Sequence, residues 1–243
     1  WAGTPHQSRS EGPQSLQDTL IEVESTLCDH IDDKVVPQGH WECHHGIGHG
    51  ILQNLRNSKT REAITEGIQH CQASNSIGVQ PRDCENGLWM DHFASTPVAA
   101  DIDTNLFMNV CDLASPSGVI TCYVYAPTEY LLHFPQDYHG AIRACEKHLL
   151  PSKDSNNNKK LVACTSGVGI QAVIEHLGDF ELLQTICLYT STTEQQNNCF
   201  ERAMQLQIMQ TNEDFSKSEK CDTLSETSNA KFKTICERHA KLP

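Results

Sequence analysis

An all-α fold, an array of about six disulfide-stapled helical hairpins forming a solenoid or α/α toroid, is what this sequence predicts. Three observations carry that reading. The twelve cysteines fall into six pairs, Cys28/Cys43, Cys71/Cys84, Cys111/Cys122, Cys145/Cys164, Cys187/Cys199 and Cys221/Cys236, whose members stand 11 to 19 residues apart. The second members recur every 35 to 42 residues, room for two helices and a turn, the unit of helical repeats. Aromatic residues make up only 6% of the chain, too few for the β-branched and aromatic runs that strands favour.

The elements follow in order. Residues 1–13 mix Pro, Gly, Ser and charge without periodicity and read as a disordered lead-in; residues 14–243 read as a single helical-repeat domain. Leu16, Leu20, Val23 and Leu27 recur at spacings of three and four and predict a helix leading to Cys28. A return helix is expected from about Cys43 to Arg56. Ser58 or Thr60 can cap the next helix, which passes Ile64 and Ile68 to Cys71. A loop with Pro81 follows, and Cys84 opens its partner. Leu106, Phe107 and Val110 lead to Cys111. In the third return helix, Pro127 and the run Cys122-Tyr123-Val124-Tyr125 favour an extended start, with helix from near Thr128. Pro135 suits a first helical turn before Ile142 and Cys145. The polar stretch 152–160 reads as a mobile loop before a helix that starts at Cys164 and stops at Gly178. Leu182, Leu183 and Ile186 lead to Cys187, Cys199 opens the fifth return, and Cys236 lies in a last helix over 231–241.

Thiol chemistry and charge narrow the function classes. An even cysteine count without any CxxC favours disulfides over structural zinc, and disulfides imply an oxidising compartment, so the chain reads as secreted or lumenal. The formal net charge of −13, from 18 basic and 31 acidic side chains, argues against nucleic acid as a partner. No apolar stretch reaches the roughly 20 residues of a transmembrane helix.

Aligning units on the second cysteine places Gly46, Gly87 and Gly167 three residues after it, a position expected to serve close helix packing. The first return helix adds histidines that the others lack. His45 and His49 are four apart, hence on one helical face, the spacing used by zinc-binding HExxH helices, although Gly46 stands where that motif has its glutamate. These two are the expected metal ligands, completed by His92, Asp91 or Met90 of the second return helix. The cofactor is a divalent transition metal, zinc ahead of copper. His44 is a further ligand or proton carrier. Seven residues after the second cysteine come Asp91, Glu129 and Gln171, and eleven after it Glu175, a polar stripe whose carboxylates Asp91, Glu129 and Glu175 are candidate acid/base groups, with His44 of the histidine cluster as a further catalytic candidate. The expected function is a metal-dependent enzyme acting on a small molecule or glycan. Its rival is a non-catalytic binding module whose concave polar face grips a protein, glycan or metabolite.

Overall fold

Each second cysteine sits one to two turns inside a helix and is bonded to the first cysteine of its own unit. The structure, a computed structural model, describes residues 16–32, 34–36, 38–55, 61–95, 107–150, 156–211, 221 and 230–239; the expected lead-in lies outside the described residues. All twelve cysteines are paired as the spacing predicts, with Cα–Cα distances of 5.6 to 5.9 Å. Loops of this length stabilise by about 3 kcal/mol each, chiefly by restricting the unfolded chain. Such a frame is consistent with an oxidising, secreted-type environment. No helix among the described residues is long and apolar enough to cross a membrane.

Ten α-helices and three short 3₁₀ segments account for the described architecture, without strands. The outgoing helices are α1 (Leu16–Thr26), α3 (Arg61–Ala73), α6 (Tyr138–Leu149) and α8 (Phe180–Cys187). The return helices are α2 (Gly39–Asn54), α4 (Pro81–Ser95), α5 (Val119–His133), α7 (Asn157–Glu175), α9 (Thr193–Thr211) and α10 (Ala230–His239). The third outgoing segment is only a 3₁₀ stretch, Phe107–Leu113.

Several boundaries differ from the expectation, each for a local reason. Return helices begin before the cysteine: Pro81 opens α4, where its missing N–H costs nothing. Pro135 precedes α6 instead of entering it, because the Asp137 side chain accepts from the Gly140 N–H at 2.9 Å and caps the helix there. The polar loop is shorter than expected. Asn157 is buried and its side chain donates to the Leu149 carbonyl at 2.9 Å, so the Asn/Lys run forms the first turn of α7. Pro127 does not delay the third return, since α5 runs continuously through it from Val119. Leu20 is buried and Val23 half-buried as periodicity implies, but Leu27 lies outside α1 and is exposed.

The return helices lie side by side: α2 against α4, α4 against α5, α5 against α7, α7 against α9 and α9 against α10. They run parallel. Gly48 faces Cys84 and Leu88, while further along Gln53 bonds Asp91; Gly167 faces Val124, while Gln171 bonds Thr128 at 2.7 Å. The contacts are backbone on backbone. A Cβ on Gly48 would strike the Cys84 carbonyl, one on Gly87 the His45 carbonyl, and one on Gly167 the Val124 carbonyl. Gly46 corrects the register argument. It is exposed, and a Cβ added there would meet nothing within 4 Å, so the packing glycine of the first unit is Gly48. At the far end of the described helices Phe200 of α9 stacks on Phe232 of α10, ring centroids 4.4 Å apart.

Alanine at Gly48, Gly87 or Gly167 is therefore expected to destabilise by about 1–3 kcal/mol through overpacking. Gly46→Ala is expected to be neutral or to stabilise by up to about 1 kcal/mol through helix propensity. Denaturant unfolding with the disulfides intact measures both, and equal costs at Gly46 and Gly48 would contradict this packing.

Candidate functional site

The close approach of α2 and α4 at Gly48 and Gly87 fixes what stands along that seam. His45 and His49, one turn apart on α2, have their Nε2 atoms 3.0 Å from each other. On its other side His49 Nδ1 lies 3.5 Å from Asp91 Oδ1 of α4, and Gln53 donates to the same oxygen at 3.2 Å. The Asp91 side chain is 9% exposed and that of His49 27%. Asp91 is placed to accept an Nδ1 proton from His49, and in that tautomer His49 Nε2 accepts the hydrogen bond from the His45 Nε2–H.

The His45 ring stacks on Trp41 at 4.8 Å and meets His49 edge-on at 4.7 Å. Its Nδ1 is buried without a hydrogen-bond partner; the Asn86 amide stands near the ring but does not meet hydrogen-bond geometry at that atom. Burial, and after it the neighbouring His49, push the His45 pKa down to about 4, with Asn86 and Asp83 acting weakly the other way. His45 is thus neutral at physiological pH, the state in which an imidazole can ligate a metal.

The other expected residues are placed as follows. His44 is buried, and its Nδ1 accepts from the Gln80 backbone N–H at 3.4 Å, at the entry to α4. His92 meets Phe93 edge-on at 4.8 Å and Trp89 at 6.1 Å. Among the described residues no three His, Cys, Asp or Glu side chains group closely enough to hold a metal ion. The structure therefore unites His45 and His49, sets Asp91 behind His49, and leaves His92 outside the pair. Met90 is 38% exposed. Glu129 is half-buried on α5, and burial raises its carboxyl above the usual range. Elsewhere in the expected polar stripe the groups bond between elements: Glu175 accepts from the Tyr138 hydroxyl at 2.6 Å. Burial raises the phenols of Tyr123, Tyr125 and Tyr130 to about 12, so all three keep their protons; Tyr125 donates to the Asn86 side chain at 2.8 Å and Tyr130 to Asp137 at 2.9 Å.

Two features escape sequence reasoning. One is Glu85, fully buried at 0% exposure, which accepts from Gln72 at 2.6 Å and from the Ser115 hydroxyl at 2.5 Å. Burial raises its carboxyl, and those hydrogen bonds oppose the shift. It ties the α3–α4 hairpin to the entry of α5. The second feature is a groove of about 600 Å³ crossing α2, α4, α5, α7 and α9. Trp41, Arg82, Ile120 and Val162 all line it, and each stands two residues before a second cysteine. That shared position was the available signal, masked because the four residue types have nothing in common. Trp41 and Asn86 belong to the groove wall and also flank His45, so the histidine pair lies directly behind one end of it.

No protein-family model, curated protein or solved structure matches this chain.

Because the folded pKa of His45 lies below its ordinary value of 6.5, the unfolded chain binds more protons between about pH 6.5 and 4. Stability is then fully present above pH 6.5 and falls as pH drops toward 4. NMR titration of the metal-free protein should find one imidazole protonating below about pH 5, a signal that His45→Gln removes together with part of the acid-side loss of stability. A His45 that titrates near 6.5 would contradict this environment.

Proposed function

We propose that this is a secreted or lumenal helical-repeat protein, its hairpins arranged as a solenoid or toroid, that binds a divalent transition metal at His45 and His49, zinc ahead of copper. The observation that carries this reading is the 3.0 Å separation of the two Nε2 atoms, a hydrogen bond between the imidazoles that has to open by only about 0.3–0.4 Å for both nitrogens to stand about 2.0–2.1 Å from one tetrahedral cation. Asp91 supports it by standing at His49 Nδ1, the arrangement in which a carboxylate orients a metal-bound imidazole and raises its basicity. In this reading Asp91 is a positioning residue and His44 holds the entry to α4. His92 would have to leave Trp89 and Phe93 to become a ligand. Two protein nitrogens leave coordination positions for water or for a ligand atom, and a metal-bound water is the reactive group of a zinc-dependent enzyme.

The groove favours a second reading, a non-catalytic binding module. Its residues come from five return helices, the way repeat proteins build ligand surfaces. The two readings differ in what must be bound first.

Calorimetry with zinc, checked by elemental analysis of the purified protein, is expected to give one metal per chain. His45→Ala/His49→Ala should abolish stoichiometric uptake with helix content and disulfides unchanged, and Asp91→Asn should weaken it about tenfold to a hundredfold. A wild-type protein that takes up no metal, or a double variant that keeps it, sinks the metal reading and leaves the binding module.

A further inference from the structure

The charge of the groove opposes that of the chain. The protein has 31 acidic and 18 basic side chains, nearly two acids for each base. Yet among the described residues the groove is lined by Arg82, Lys159 and Arg202 and by no Asp or Glu. Arg82 shares its charge with Asp83 at 3.0 Å. Arg202 donates to the neutral Gln205 amide at 3.2 Å, and among the described residues neither it nor Lys159 enters an ion pair with an acid. At three of its five helices the backbone adds to this charge. The groove crosses the N-terminal halves of α2, α4 and α5, parallel helices whose positive dipole ends lie on that side.

The rest of the lining is amide, hydroxyl and aromatic. Asn86 and Ser166 offer both donors and acceptors, and Trp41 offers a ring at one end. Such a surface suits a ligand rich in hydroxyl groups with apolar ring faces, while the cations demand negative charge as well. The three bases sit on three different helices, α4, α7 and α9. A ligand that carries anionic groups along its length meets all of them, whereas a single small anion does not. The volume of about 600 Å³ lies within the range of small-ligand sites. Nucleic acid is disfavoured because the net charge of −13 opposes the approach of a polyanion at long range.

We propose that this groove binds a short anionic oligosaccharide, one bearing carboxylate or sulfate groups, with Arg82, Lys159 and Arg202 meeting the anionic groups and Trp41 stacking on a terminal sugar ring. The proposal rests on the binding-module reading and requires no metal.

The test is calorimetric titration of the metal-free protein with a galacturonate tetrasaccharide and with a sulfated tetrasaccharide. A neutral cellulose tetrasaccharide, sodium sulfate and a short single-stranded oligonucleotide serve as the other probes. One of the anionic tetrasaccharides is expected to bind at one per chain, at least about tenfold tighter than the neutral one, and to weaken as salt rises. Lys159→Gln/Arg202→Gln should reduce that affinity by roughly tenfold or more, with helix content unchanged. Trp41→Phe should remove the fluorescence change on binding. Equal affinity for the neutral tetrasaccharide would overturn the anionic specificity while leaving the groove a binding site. Sulfate ion binding as tightly as the oligosaccharide, tighter binding of the oligonucleotide, indifference to the double substitution, or no binding of any probe would each overturn the proposal. None of these outcomes touches zinc uptake at His45 and His49, so the metal reading stands or falls separately.

Discussion

The close backbone contact between neighbouring return helices is the constraint on which the rest of this structure depends. At Gly48, Gly87 and Gly167 the absence of a Cβ lets one helix rest on a carbonyl of the next. Dispersion contacts multiply at that distance, and side chains flanking each glycine are brought within hydrogen-bonding reach across the seam. Gln53 with Asp91 and Gln171 with Thr128 are the result. Disulfides add a second set of links, fastening each return helix to its own outgoing segment. Together they leave little freedom to slide in either direction.

Both candidate sites follow from that geometry. His45 and His49 flank Gly48 on α2, so the helix packing that needs the glycine also presses the imidazoles toward α4, where Asp91 waits behind His49. Burial then keeps His45 neutral. On α4, turned to α3 and the entry of α5, Glu85 is wholly enclosed and held by Gln72 and Ser115. A buried carboxylate left without those donors would be strongly destabilising, so the link between the second and third units is polar as well as hydrophobic. Parallel helices also align their dipoles, which adds a positive field on the side where the groove opens. An acidic protein thereby acquires a local basic surface.

The sequence by itself determined the helical class and the six disulfides, because both are local. A period near 40 with short loops inside each unit favours the nearest cysteine as partner, and three-four spacing of apolar residues needs no tertiary information. The identity of the packing glycine was not legible. Gly46 shares its alignment position with Gly87 and Gly167, yet Gly48 makes the contact, since the face a helix turns to its neighbour depends on the rotation of that helix in the array. The same holds for the site. The four-residue spacing placed His45 and His49 on one face, while only packing decided that Asp91 joins them and that His92 turns toward Trp89 and Phe93. The groove was invisible in the chain because Arg82, Lys159 and Arg202 are far apart in sequence and ordinary when taken singly. Their shared surface exists only once parallel helices bring the same register of each unit to one side.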